Sequence, residues 1–161
     1  TARRCLGGTA NQKNNALAFG GYTTTNVNNV ESWNGTSWTE VSEINNTRTY
    51  MGGVGTNTDA LAFGGEPTPR AYTEKWDGSS WTETGDLNTA RRNGGGSGPS
   101  ASTGVVFGGG EHPSYSANTE SWNGTCFSET TDLPTGQAGS SAGDSATAAL
   151  FFGGPINPSP P

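Results

Sequence analysis

A single histidine and two cysteines are all the imidazole and thiol groups in 161 residues. So few groups form no set of histidine, cysteine and carboxylate with metal-ligand spacing. Nor do they form a serine–histidine–aspartate arrangement that spacing supports. Two cysteines are too few for a disulfide framework. Cys5 lies near a strand of the first quarter and Cys126 in a turn far along the chain, so both are expected as unpaired thiols, Cys5 buried and Cys126 near a turn; an intermolecular bridge is the alternative. No apolar run approaches the length of a membrane span. Lys and Arg number 8 against 14 Asp and Glu, for a net charge of −6, and the cations form no patch. That argues against nucleic acid as a partner, because phosphate contacts need clustered Lys and Arg. No segment shows helical periodicity with caps. No signal peptide is visible and the first residue is Thr1, which reads as a processed chain or part of a longer one.

Hydrophobic residues make up only 29% of the chain and glycine numbers 26. Composition alone would suggest disorder, but a strict repeat argues otherwise. Phe-Gly-Gly occurs at Phe19, Phe63, Phe107 and Phe152, with spacings of 44, 44 and 45 residues. A short apolar run precedes each copy: Ala16–Ala18, Ala60–Ala62, Gly104–Val106 and Ala149–Phe151. Two aromatics around a turn follow the first three: Trp33 and Trp38, Trp76 and Trp81, Trp122 and Phe127. Between them stand Asn34-Gly35, Asp77-Gly78 and Asn123-Gly124, read as two-residue type I′ turns whose central residues tolerate positive φ. A glycine-rich stretch opens each unit at Gly7-Gly8, Gly52-Gly53 and Gly94–Gly96, degenerate at Ser140–Ala142. Each unit therefore reads as four short strands. The fold class is all-β, and four strands per 44-residue unit is the blade of a β-propeller.

These residues resemble the kelch repeat, which has an Arg near its start, a Gly-Gly doublet ending the second strand and two spaced aromatics in the third and fourth. Arg3, Arg48 and Arg91 stand at matching positions. The resemblance covers essentially the whole chain, and the wording of the repeats is similar to kelch-like proteins of marine phages and environmental bacteria. It implies a kelch-like β-propeller of about three and a half blades in one domain, 1–161. The blades are 1–46, 47–88 and 89–134, with a half blade at 135–154 and a Pro-rich tail at 155–161. Some kelch proteins are copper oxidases that need a His pair, a Tyr and a Cys; with only His112 here, no cofactor is expected. Three and a half blades leave an exposed edge, so the expected partners are other copies of the chain or the remainder of a longer one.

In a repeat array the shared residues build the scaffold, and the differing ones are the candidates for recognition. The loops between second and third strands differ most. They carry the ligand-binding candidates Tyr22, Arg70, Tyr72, His112 and Tyr115, a mix suited to polar or glycan ligands; the alternative is that these are unconstrained loops. Arg3, Arg48 and Arg91 read either as a cationic ring or as partners of Glu31, Glu74 and Glu120, and equal recurrence of both signs favours pairing. Gln137 takes the Arg position in the fourth unit. Glu40, Glu83 and Glu129 recur with the scaffold, so no catalytic role is expected and the chain is read as not an enzyme. Asn34, Asn45 and Asn123 open N-x-Thr sequons, which matter only on a secretory route. The expected function is a non-catalytic binding or adhesion module of an extracellular or virion-associated protein recognising a surface ligand such as a glycan. The alternative is a structural subunit of a fibre or ring with no small ligand.

Overall fold

A computed structural model describes residues 2–67, 70–111, 114–143, 145–152 and 154. Among them there is no helix. The first sheet runs β1 (Gly7–Gln12), β2 (Asn15–Phe19), β3 (Val30–Trp33) and β4 (Trp38–Val41), antiparallel and in chain order. The second repeats it as β5 (Gly52–Gly55), β6 (Ala60–Phe63), β7 (Thr73–Trp76) and β8 (Trp81–Glu83). In the third, β9 (Gly95–Ser100) and β10 (Thr103–Phe107) are followed by a small added hairpin, β11 (Gly110–Glu111) with β12 (Ser114–Tyr115). The sheet then resumes with β13 (Thr119–Trp122) and β14 (Phe127–Glu129). Last comes a two-stranded sheet of β15 (Ser140–Ala142) and β16 (Leu150–Phe152). The glycine-rich strands lie side by side, β1 on β5, β5 on β9 and β9 on β15, an arrangement consistent with a propeller-like array.

Side chains alternate across each strand, so every second strand has two apolar faces. Leu17 and Phe19 of β2 face the second sheet, where Ala60, Ala62, Trp76 and Trp81 meet them. Leu61 and Phe63 of β6 face the third sheet, meeting Val106, Trp122 and Phe127. The ring of Trp81 stands edge-on to Phe19 with centroids 5.6 Å apart. Each aromatic pair thus belongs to its own hairpin but is buried by the sheet before it.

The glycine doublets follow from the same contact. A Cβ on Gly52 would fall 2.2 Å from Cε2 of Phe63 in its own sheet, and one on Gly53 would fall 2.5 Å from Cζ of Phe19 in the preceding sheet. Gly95 and Gly96 repeat this with Phe107 and Phe63. The inner strand is glycine because phenyl rings lie against it from both sides.

The hairpin turns differ from the type I′ reading. Gly35, Gly78 and Gly124 do take positive φ, at 95°, 97° and 96°, but Asn34, Asp77 and Asn123 do not. Trp33 pairs with Trp38 and the Asn34 amide donates to the Ser37 carbonyl at 3.3 Å. The two central residues are therefore Gly35 and Thr36, with the positive φ at the glycine. Asn34 sits one place earlier because its side-chain oxygen accepts the Thr36 and Ser37 amides at 2.9 and 3.0 Å, a local bond that asparagine and aspartate favour in turns. Cys5 is a second correction. It is half-buried rather than buried, Cys126 is exposed, and both thiols are free.

Trp76 is 1% exposed and Trp33 is half-buried. Trp76→Ala should cost about 3–5 kcal/mol in urea unfolding, and Trp33→Ala clearly less. Equal losses at the two positions would contradict the one-sided packing.

Candidate functional site

The junctions between sheets are held by buried ions. Arg48 and Glu74 are both fully buried and pair at 2.6 Å. Nη1 of Arg48 also donates to the carbonyls of Gly64 at 2.8 Å and Tyr72 at 3.0 Å. The other oxygen of Glu74 accepts the backbone amide and the side-chain amide of Asn45, each at 2.8 Å, from the preceding sheet. Arg91, Glu120 and Asn88 repeat the set one junction later. In the first sheet Arg3 pairs with Glu31 at 3.0 Å, and Glu31 is 25% exposed. The three arginines thus pair with the three glutamates, as equal recurrence suggested, and Arg48 and Arg91 are too deep to act as a cationic ring. Asn45, read as a sequon, has its amide nitrogen engaged in this set.

Above the junctions the loops converge. Bridges join Arg4 to Tyr22, Thr49 to Glu66 and Arg70 to Arg91, so the loops after every second strand share a face with the segments linking the sheets. Cys5, Tyr50 and Asn93 occupy equivalent places there, all left-handed, with φ of 56°, 55° and 55°. They persist because the backbone over-determines them: the Tyr50 amide donates to Cys5 O at 2.8 Å, and the Asn93 amide to Tyr50 O at 3.0 Å. A hydrogen bond donated by the Tyr50 hydroxyl to the Cys5 sulfur, then Cys5 charge and desolvation, raises the Tyr50 hydroxyl above its ordinary range.

On this face two cation–π pairs stand on successive sheets. The Arg4 guanidinium lies over Tyr22 at 5.0 Å, and that of Arg70 over Tyr72 at 5.2 Å. Tyr72 is exposed. Arg92 pairs with Glu66 of the neighbouring sheet. Of the candidates read from sequence, the structure brings Arg70 and Tyr72 together. Tyr22 pairs instead with Arg4, and Tyr115 sits apart on β12 of the added hairpin. His112 lies outside the described residues, as does the tail from Pro155. Sequence reading passed over Arg4, Tyr50 and Arg92. The Tyr50 position carries Cys5 and Asn93 in the other repeats, and only the Arg-Arg doublets at Arg3-Arg4 and Arg91-Arg92 could have drawn attention to the other two.

A groove of about 750 Å³ runs along the inner strands. Among the described residues its walls are mainly glycine backbone, with Thr9 and Ser97 as the hydroxyl side chains and no charged group. Such walls supply chiefly shape and peptide dipoles. The chemistry-bearing residues stand on the loop face instead. Among the described residues no group of three or more His, Cys, Asp or Glu is placed to hold a metal ion, and no helix is long and apolar enough to cross a membrane. Set against known proteins, the chain matches no family model, and no curated protein matches it.

Removing one partner of the buried pair leaves an uncompensated charge. Glu74→Ala should destabilise by about 3–5 kcal/mol, while the double change Arg48→Met with Glu74→Leu should recover much of that loss. Denaturant midpoints of the three variants check this. A separate outcome concerns acid. Hydrogen bonds from Ser79 and Ser80 lower the Asp77 carboxyl to about 2. Because the folded value lies below the unfolded one, the ionised turn contributes stability above about pH 4, lost as pH falls toward 2. NMR titration of the Asp77 carboxyl should show a midpoint near 2; an ordinary carboxylate midpoint would rule out the turn bonds in solution.

Proposed function

We propose that the chain is a section of a kelch-like β-propeller, about three and a half blades, acting as a non-catalytic binding or adhesion module. It belongs in this reading to an extracellular or virion-associated protein and recognises a surface ligand, a glycan foremost, through the loops between second and third strands. The observation that carries the reading is the repeated Arg–Tyr pair on the loop face, at Arg4 with Tyr22 and at Arg70 with Tyr72. A tyrosine ring backed by a guanidinium offers a flat apolar surface with donors at its edge. That combination suits a sugar, which has C–H faces and a hydroxyl rim. The Tyr72 carbonyl is tied to buried Arg48, so the loop is presented on a rigid base, which lowers the ordering cost of binding.

Support for a non-enzymatic role comes from the carboxylates themselves. Glu74 and Glu120 are buried and engaged with arginine, while Glu83 and Glu129 lie across the strands from them. The two buried carboxylates are thus held by the scaffold. The second reading is a structural subunit of a fibre or ring with no small ligand.

A glycan array separates the two. Binding to a defined set of sugars is expected, reduced at least tenfold by Tyr72→Ala or Arg70→Ala with little change in unfolding midpoint, the loss of a central contact. Absence of binding across the array, or binding untouched by both substitutions, would favour the structural reading.

A further inference from the structure

The chain holds six arginines, and they stand at one end of the sheets. Arg3 and Arg4 precede β1, Arg48 lies between β4 and β5, Arg70 between β6 and β7, and Arg91 and Arg92 between β8 and β9. The two lysines lie elsewhere, Lys13 in the turn at the other end and Lys75 on β7. The exposed carboxylates of Glu40, Glu83 and Glu129 are on the outer strands β4, β8 and β14. The net charge of −6 therefore does not describe the loop face, which gathers the guanidinium groups.

Four of these arginines are matched by a glutamate: Arg3 with Glu31, Arg48 with Glu74, Arg91 with Glu120 and Arg92 with Glu66. Arg70 has no carboxylate partner among the described residues. The acids nearest to it in the chain are already engaged, Glu66 by Arg92 and Glu74 by Arg48 and Asn45. Burial lowers the Arg48 guanidinium from its ordinary range, Glu74 raises it, and the charge of Arg70 lowers it again, so Arg70 also feels a second cation. Arg70 is nevertheless held in place. Its amide donates to Gly65 O at 3.1 Å, its carbonyl accepts the Arg91 amide at 3.2 Å, and its guanidinium lies over exposed Tyr72. Nε of Arg70 is enclosed with no protein acceptor among the described residues, a donor that an added acceptor would satisfy.

We propose that Arg70 binds a carboxylate of the ligand, so that the sugar recognised at Arg70 and Tyr72 is an acidic one, a uronic or sialic acid residue. The inference rests on the glycan reading given above and narrows it. A guanidinium laid on an aromatic face keeps its N–H edge, and that edge is a planar fork that fits the two oxygens of a carboxylate. The exposed ring of Tyr72 offers apolar surface to the C–H face of the same sugar. A fixed cation with no carboxylate of its own takes an anion without breaking an ion pair, a cost that Arg48 or Arg91 would incur. Sulfate is the competing anion, but its tetrahedral oxygens lack the planar match. Arg4 over Tyr22 repeats the stack on the first sheet.

An array of glycans ending in sialic or uronic acid, each printed beside its methyl ester and with sulfated and neutral sugars, tests this on the intact 161-residue chain. Free carboxylates are expected to bind at least about tenfold more tightly than their esters. That preference should weaken as sodium chloride rises from about 50 mM to about 500 mM. Arg70→Gln should bring the acids down to the level of the esters, with the circular dichroism spectrum and unfolding midpoint unchanged. Arg70→Lys, which keeps the charge without the fork, should recover part of the difference. Equal binding of acids and esters, lost in Tyr72→Ala, overturns this inference and leaves the glycan reading standing. A preference for sulfated sugars, or an acid preference that survives Arg70→Gln, overturns it as well. Absence of binding to every sugar overturns both.

Discussion

The ring of Phe63 lies against Gly52 of its own sheet and approaches Gly96 of the next. With no side chain at either glycine, backbone and ring come into direct contact. Sheets can then approach closely along that edge with little apolar material between them. This is how a chain with 29% hydrophobic residues builds an interior: the first two interfaces are centred on one phenyl ring, a leucine and an aromatic pair. The cost is conformational, because glycine loses more freedom on folding than any other residue. A short repeated strand with neighbours on both faces limits that cost to a few positions per unit.

The apolar contact fixes how sheets stack, and the buried Arg–Glu–Asn set fixes their register. Arg48 reaches Gly64 O, Tyr72 O and Glu74 together, while Asn45 approaches Glu74 from the preceding sheet. A one-residue slip of β7 would move Glu74 to the opposite face of its strand and leave a cation alone in the interior. The set contributes little net stability over an apolar substitute, but a misregistered alternative would be expensive. The same guanidinium holds the base of the Tyr72 loop, so scaffold and variable surface share an anchor.

The strand order, the all-β class and the pairing of Arg with Glu were legible in the sequence because each rests on recurrence at a fixed period. Turn chemistry was legible only in part. Asn-Gly announces a hairpin, but whether the asparagine occupies a central turn position or serves as a side-chain acceptor one place earlier depends on register, and Trp33 opposite Trp38 decided that. The reason for the glycine doublets was not legible, because the ring that excludes a Cβ at Gly53 arrives from another sheet. Nor were the left-handed positions at Cys5, Tyr50 and Asn93. Three unrelated side chains occupy them, and a backbone link between successive sheets holds φ positive without glycine. Tyr22, Arg70 and Tyr72 were found as loop variants, but the stacking of arginine on tyrosine required the bridge that brings Arg4 to Tyr22.

The third junction shows which parts of the set are separable. Pro134 stands where Asn45 and Asn88 do, and Gln137 where Arg48 and Arg91 do. Both polar partners of the buried carboxylate change together. The backbone link is kept: the Gly109 amide donates to Gln137 O at 2.9 Å, as Gly21 does to Arg48 O at 2.8 Å and Gly65 to Arg91 O at 2.9 Å. Phe107 is likewise still covered, by Phe151 in place of a tryptophan hairpin. Backbone bonding and ring packing therefore carry one sheet to the next on their own. The buried ions are an added constraint at the two junctions that hold them.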